Sequence, residues 1–278
     1  MRDFFLILYF QYLRKMKMLI YAAVLSAVLV PRLPAQQIQP LNQTDSRGLK
    51  QGHWIRKNSQ GHTLFDGFFT EGKPAGLFRR FYDNDSLQSV LDYKADGKTV
   101  EATFYHRNGF IESKGTYLFQ KKEGNWEFYS AVIRNFLLCR EEYRQDLKNG
   151  LSEKFYPDGT VSEKIYYEND RKSGEWTQYY PDGKKCLSGN YKNGQLEGSF
   201  STFYDNGDTE FAGQYKHDAR DGEWTRYNTD GSIASKTVYT EGRPNDPDAY
   251  KKESDYLDSL ERNKGKIADP EKTGTLWQ

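Results

Sequence analysis

The chain has 278 residues, of which 36% are apolar and 28% are charged, which leaves too few aliphatic side chains for a large core. Aromatic residues make up 15% of the chain, and such side chains favour strands that cover a sheet face. Beyond residue 35 the chain holds 35 basic and 38 acidic residues. This balance excludes the basic surface that binds nucleic acid.

The first 35 residues resemble an export signal. "RKMKM" (14–18) is basic, "LIYAAVLSAVLV" (19–30) is apolar, and Ala35 offers a small residue for cleavage. We therefore predict a signal peptide over 1–35, a linker over 36–46, and export to the periplasm or the cell surface, including the outer membrane. Two alternatives stay open: translation starting at Met16 or Met18, and an uncleaved anchor that uses both apolar runs.

Residues 47–243 contain eight copies of one repeat. Three residue columns recur every 24 positions, with a single interval of 26 between Tyr117 and Tyr143. One column is glycine, although Val100 replaces it in copy three. The second column comprises Phe69, Tyr93, Tyr117, Tyr143, Tyr167, Tyr191, Tyr215 and Tyr239. The third comprises Trp54, Phe78, Ala102, Trp126, Ser152, Trp176, Phe200 and Trp224.

Each copy is predicted to form a β-hairpin. In residues 174–198, "EWTQYY" and "KCLSGNY" have strand composition, and "PDG" between them supplies the turn glycine. The fold class is therefore all-β: an elongated, twisted, open antiparallel meander of sixteen strands, with the aromatic columns as cross-strand ladders. Gly189 and Gly213 leave room for the rings. Residues 244–278 predict a short helix capping the last strand, from Asp246 to Gly265, and a disordered tail.

Two glycine-rich runs carry a family resemblance: "GNYKNGQLEG" (189–198) and, less closely, "GQYKHDARDG" (213–222). They resemble the bacterial variant of the MORN (membrane occupation and recognition nexus) repeat, a family whose bacterial members are often labelled antitoxins. The resemblance implies a non-enzymatic scaffold or binding module. Copies three and four depart from its pattern at Val100 and Ile133.

The sequence lacks a catalytic or metal-binding constellation. Its four histidines fall in four different phases of the repeat, so we predict no metal, no cofactor and no enzymatic activity. Cys139 and Cys186 lie about four strands or ~19 Å apart, too far for a disulfide. Asp158, Asp182 and Asp230 recur beside turn glycines, where aspartate satisfies the turn backbone.

One hairpin corner, "SAVIRNFLLC" (130–139), is apolar and holds the two extra residues. A turn at Arg134-Asn135 would pair Ile133 with Phe136 and Val132 with Leu137. These four residues are the candidate partner-binding site. Two interpretations stay open: the corner packs on a neighbouring copy, near Val100 and Ala102, or it docks a partner protein.

The function that these observations favour is an exported scaffold for protein–protein interaction in the bacterial envelope, with a protein partner still to be identified. One alternative is a membrane-surface or envelope-glycan module that uses an aromatic stripe, formed by Trp54, Trp126, Trp176 and Trp224. Another alternative is an antitoxin-like inhibitor of an exported toxin.

Overall fold

In the computed structural model, residues 40–246, 248 and 251 are described. They form nineteen strands. The strands are β1 (Gln43–Thr44), β2 (Lys50–Lys57), β3 (Thr63–Thr70), β4 (Lys73–Phe81), β5 (Leu87–Tyr93), β6 (Thr99–Tyr105), β7 (Ile111–Leu118), β8 (Lys121–Tyr129), β9 (Leu137–Arg144), β10 (Leu147–Phe155), β11 (Val161–Glu168), β12 (Arg171–Tyr179), β13 (Lys185–Lys192), β14 (Gln195–Leu196), β15 (Gly198–Phe203), β16 (Thr209–Lys216), β17 (Ala219–Tyr227), β18 (Ile233–Thr240) and β19 (Arg243–Pro244). The predicted signal peptide lies outside the described residues, as does the C-terminal helix apart from its first residues.

Each strand pairs antiparallel with the next, except that β14 and β15 are two pieces of one interrupted strand and both pair with β13. The result is one open sheet, which confirms the predicted meander. Sixteen long strands make up the eight hairpins when β14 and β15 are counted as one. The short strands β1 and β19 pair with the first and last of them.

The two ends of the strands carry different connections. Along one end, which we call the short-turn edge, most turns have two residues at positive φ, such as Asn169 (48°) and Asp170 (65°). This is the backbone of a type I′ turn, whose twist matches that of paired strands. Along the other end, the loop edge, most loops have five residues. In Tyr156–Thr160 the Tyr156 N–H donates to the Thr160 carbonyl at 2.7 Å.

The Trp and Tyr columns share one face of the sheet, the ladder face. A Cβ added to Gly213 would overlap the Trp224 ring, and one added to Gly189 would lie 3.1 Å from Phe200 Cδ2. The rings therefore lie over the glycines of the neighbouring strand, as expected from the sequence. This close approach is what requires glycine at position 213.

Where the Trp column holds a small residue, its neighbour is large. Ala102 pairs with Leu91, and Ser152 pairs with Glu141, at the column where four other copies have glycine. Leu91 packs against the buried Ala102. The departures of copies three and five are thus compensated across the strand pair, because the volume moves from one strand to the other.

Candidate functional site

The rings of the ladder face form three stacks, separated at Ala102 and Ser152. The contacts are Trp54–Phe69, Phe65–Phe69, Phe65–Phe78, Phe69–Phe78 and Phe78–Tyr93 in the first; Phe104–Trp126, Tyr117–Trp126 and Trp126–Phe128 in the second; and Trp176–Tyr191, Trp176–Phe200, Phe200–Tyr215, Phe200–Trp224, Tyr215–Trp224 and Trp224–Tyr239 in the third. Trp126 is 1% exposed and Trp224 is 4% exposed. Trp54 and Trp176 are half-buried. The columns thus bury each other's rings.

A column of cations covers the stacks near the short-turn edge. The Lys122 ammonium lies 4.7 Å from the Trp126 ring and 4.6 Å from the Tyr143 ring, and the Lys148 ammonium lies 5.3 Å from the Tyr167 ring. Burial lowers the pKa of Lys122. These cation–π contacts each contribute about 0.5–2 kcal/mol and seal the rings from solvent.

The opposite face of the sheet, which we call the charged face, carries ion pairs across the strands around Ser152, where the second and third ring stacks are separated. A ladder of ion pairs crosses five consecutive strands: Lys114–Glu127 at 2.8 Å, Glu127–Arg140 at 3.5 Å, Arg140–Glu153 at 3.4 Å and Glu153–Lys164 at 3.3 Å. All of these residues are direct cross-strand partners. Opposite charges at such positions stabilise the pairing of copies four and five.

A fourth aromatic column, which the sequence analysis missed, ends the first strand of each hairpin after copy one. It keeps the repeat intervals and is half-buried throughout: Phe81, Tyr105, Tyr129, Phe155, Tyr179, Phe203 and Tyr227. The Tyr129 hydroxyl donates to Glu127 at 2.6 Å, and the Arg140 guanidinium lies 5.7 Å from the Phe155 ring. These two rings therefore lie on the charged face. The recurrence at intervals of 24 was the signal that could have identified them.

Neighbouring copies are also joined along the loop edge. The first loop residue is often tyrosine, and the hydroxyls of Tyr156, Tyr180 and Tyr204 donate to the carbonyl ahead of the next loop at 2.6–2.7 Å. In copy three this position is His106, whose Nε2 lies 3.5 Å from the Tyr129 carbonyl. In copy four it is Ser130, so the apolar corner begins where the tyrosine is replaced.

The apolar corner is a seven-residue loop that contains the predicted turn at Arg134-Asn135: the Phe136 N–H donates to the Ile133 carbonyl at 3.3 Å, and Asn135 has φ of 61°. The predicted pairing of Val132 with Leu137 is wrong. Leu137 pairs with Tyr129 instead. The closing bond of the five-residue loops is retained, since the Ser130 N–H donates to the Phe136 carbonyl at 2.9 Å. The two extra residues are held inside it by the Ser130 hydroxyl, which accepts the N–H groups of Val132 and Ile133 at 3.1 and 3.0 Å.

The four candidate partner-binding residues divide into two pairs. Val132 is 65% exposed, whereas Phe136 is 8% exposed; Ile133 and Leu137 are half-buried. Val132 and Ile133 occupy the outer part of the loop, and Phe136 and Leu137 form its base.

The loop is tied to the preceding copy. Asn108 Nδ2 donates to the Ala131 carbonyl at 2.7 Å, and the Arg134 guanidinium lies 4.8 Å from the Phe110 ring. These contacts reach the loop of copy three rather than the strand residues Val100 and Ala102. The corner thus packs at its base and presents Val132 to solvent.

The recurring turn acids bond to their own loops. Asp158 and Asp182 accept the N–H two residues on, at 2.8 and 3.0 Å. These bonds hold the pKa of both carboxyls below the ordinary value. Across the described residues, no three His, Cys, Asp or Glu side chains are grouped to hold a metal ion. Cys139 and Cys186 are half-buried thiols.

Comparison with known proteins identifies the repeats. Residues 148–169, 172–193 and 220–241 match the family described as the MORN repeat variant. Three copies therefore match the MORN repeat variant. They are copies five, six and eight, whereas the apolar corner lies in copy four, outside the matched MORN repeats. In the part of the chain that is described, no helix is long and apolar enough to cross a membrane.

No curated protein matches the sequence. Similar solved structures include a mutant of S. aureus TarM in complex with fondaparinux, alpha-GlcNAc-glycerol and UDP (11% identity, TM-score 0.28), another structure of TarM (14%, 0.27) and a GtfA/B complex (15%, 0.22). They align with 44%, 37% and 40% of this chain, and the alignments span 21%, 20% and 19% of those chains. At these TM-scores the similarity carries no functional meaning.

Proposed function

We propose that the protein is an exported, non-enzymatic repeat scaffold that binds another protein through the loop 130–136. The observation that carries the proposal is the 65% exposure of Val132 in a loop whose backbone is fixed by the Ser130 side chain. An exposed apolar residue on a fixed backbone loses little conformational entropy on binding, which favours its use as a contact residue.

The burial of the Trp column supports this function over a glycan module. A ring that stacks on a sugar must present a free face. Trp126 and Trp224 are at most 4% exposed, and their faces are occupied by neighbouring rings and by Lys122 and Arg220. The exposed apolar surface of copy four is therefore the better candidate for contact with a partner.

The export part of the proposal rests on residues 1–35, where a basic run precedes twelve apolar residues and Ala35. We expect cell fractionation to recover the protein in the envelope and N-terminal sequencing of the mature form to begin shortly after Ala35. A cytoplasmic protein that retains its first residues would contradict export.

Photo-crosslinking tests the binding site directly. A benzophenone amino acid replaces Val132, and in a matched control it replaces Thr229, which is exposed in the loop of copy eight. In the intact cell envelope, position 132 should give a discrete protein adduct that position 229 does not. The same adducts at both positions, or no protein adduct at position 132, would refute the proposal.

Two further variants separate folding from binding. Phe136→Ala should lower the free energy of unfolding by about 3 kcal/mol because it empties a buried site. Val132→Asn should change stability by less than about 0.5 kcal/mol and yet abolish the adduct formed by a benzophenone placed at Ala131, an exposed neighbour. An unchanged adduct in the Val132→Asn variant would place the contact elsewhere.

A further inference from the structure

We infer that the loop 130–136 recognises a short peptide segment in which one carboxylate adjoins an apolar side chain. This inference rests on the proposed function and names the chemistry of its partner. It follows from the distribution of charge along the loop edge, from the position of Arg134, and from the exposure of Val132.

The loop edge carries acidic residues on both sides of its centre. Its eight loops hold seven aspartates: Asp83, Asp85, Asp158, Asp182, Asp205, Asp208 and Asp230. They hold three cations: Arg107, Arg134 and Lys184. Only the adjacent loops 106–110 and 130–136 carry a cation and no acid. An anionic group approaching this edge is therefore attracted to its centre and repelled on both sides.

Within that centre Arg134 is the cation available to a partner. Arg107 forms an ion pair with Asp83, and Lys184 forms one with Asp182. Among the described residues no carboxylate lies within ion-pair distance of Arg134. Its guanidinium carbon lies 4.8 Å from the centroid of the Phe110 ring, and the side chain is exposed. A guanidinium is suited to bidentate binding of a carboxylate.

The apolar part of the site adjoins this cation. Val132 is 65% exposed, and it lies two residues from Arg134 in a loop closed by the bond from Ser130 to Phe136. A partner carboxylate at Arg134 would therefore place a neighbouring side chain against Val132. Aliphatic or aromatic side chains gain most from that contact.

The flanking loops limit the length of the partner segment. Neighbouring loops are about 10 Å apart, two strand spacings, which is close to the screening length at physiological salt of about 8 Å. A long acidic segment would reach the carboxylates of loops 82–86 or 156–160 and be repelled. One carboxylate beside one apolar residue fits the central loops.

The experiment uses the full chain and defined peptides. An array presents every pair of amino acids at the centre of a Gly-Ser 12-mer, and the anisotropy of labelled Leu-Glu and Leu-Gln 12-mers is then measured with wild type, Arg134→Gln and Lys184→Gln. The peptides to which the protein binds should be those whose central pair combines Asp or Glu with an apolar residue. The Leu-Gln peptide should bind about tenfold more weakly than the Leu-Glu peptide, as expected for a lost charged hydrogen bond.

The loop variants complete the test. Arg134→Gln should reduce affinity for the Leu-Glu peptide about tenfold, whereas Lys184→Gln, the matched loop-edge cation, should leave it unchanged. An array without bound peptides, binding that ignores the carboxylate, or equal effects of both variants would overturn the inference. A specific adduct at position 132 would in those cases still support the scaffold; its absence would refute the scaffold whatever the array shows.

Discussion

Glycine beneath the Trp column offers the sharpest test of how this sheet is built. Gly213 does not have positive φ, so alanine is compatible with its backbone and would by itself stabilise the fold by about 0.4–1 kcal/mol through the unfolded chain. In the structure, however, the added Cβ would overlap the Trp224 ring. That ring is 4% exposed, and its Nε1 donates to the Gln214 carbonyl at 3.1 Å.

The expected cost of Gly213→Ala follows from these terms. Displacing the packed ring costs about 1–3 kcal/mol, and losing its hydrogen bond costs about 1 kcal/mol. After the backbone gain is subtracted, the variant should lose about 2 kcal/mol of unfolding free energy. Gly189→Ala is the matched control, because its nearest ring atoms lie at 3.1 and 3.4 Å and need to move only a few tenths of an ångström.

Urea unfolding followed by tryptophan fluorescence, with far-ultraviolet circular dichroism as a second probe, measures both variants. Gly189→Ala should stay within about 0.5 kcal/mol of wild type, since the small shift of its neighbours is offset by the backbone gain. If Gly213→Ala were as stable as wild type, or if Gly189→Ala lost more than Gly213→Ala, ring-over-glycine packing would not be the reason for the glycine column.

Three other predictions concern the turns and the charged face. Asp146→Ala should cost about 1–2 kcal/mol in urea unfolding, because the carboxylate accepts the Lys122 N–H at 2.6 Å and the residue has φ of 73°; Asp146→Asn keeps both features and should be nearly neutral. Hydrogen bonds from Thr99 and the Lys98 N–H lower the pKa of Asp96 from 3.8 to about 2. Its contribution to stability is therefore full above 3.8 and is lost as the pH falls towards 2; a carboxyl NMR titration with a midpoint near 4 would contradict this. Arg140→Gln should lower the free energy of unfolding by about 1 kcal/mol and should reduce its dependence on salt concentration. An unchanged salt dependence would show that the ladder of ion pairs does not contribute to stability.

The copies that match the family model have regular hairpin loops. The MORN matches lie in copies five, six and eight, whose hairpins have five-residue loops. The apolar loop lies in copy four, whose type I′ turn to the preceding strand also uses Phe119 and Gln120 at φ of 50° and 66°. Phe119 is 68% exposed. The two most exposed of the described large apolar side chains, Phe119 and Val132, thus lie at opposite ends of strand β8.

The repeat period predicted the architecture because a β-hairpin is a local structure. Its strands, its turn glycines and the face of each column follow from spacing alone. Pairing of consecutive hairpins then follows from chain connectivity, and the regular interval keeps the columns in register. For these reasons the sixteen-strand meander and the rings over Gly189 and Gly213 could be predicted before the structure was known.

The loop 130–136 could not be derived in this way. The turn at Arg134-Asn135 was predicted, but the rest of the conformation depends on the Ser130 hydroxyl, which binds the N–H groups of Val132 and Ile133 where a Val132–Leu137 strand pair was expected. Its exposure depends on contacts with the preceding loop through Asn108 and Phe110, and no local pattern indicates those contacts. Likewise, the exchange of volume between Leu91 and Ala102 is visible only once their strands are paired.

The order, length and orientation of the strands thus follow from local spacing and turn chemistry, which can be read from the amino-acid sequence. Which side chains remain exposed and which charges are paired becomes known only when the strands are assembled. Exposure and pairing depend on neighbours in adjacent strands and loops, such as Glu153, 13 residues after Arg140, and Phe110, 24 residues before Arg134. In this chain those neighbours leave Val132 exposed.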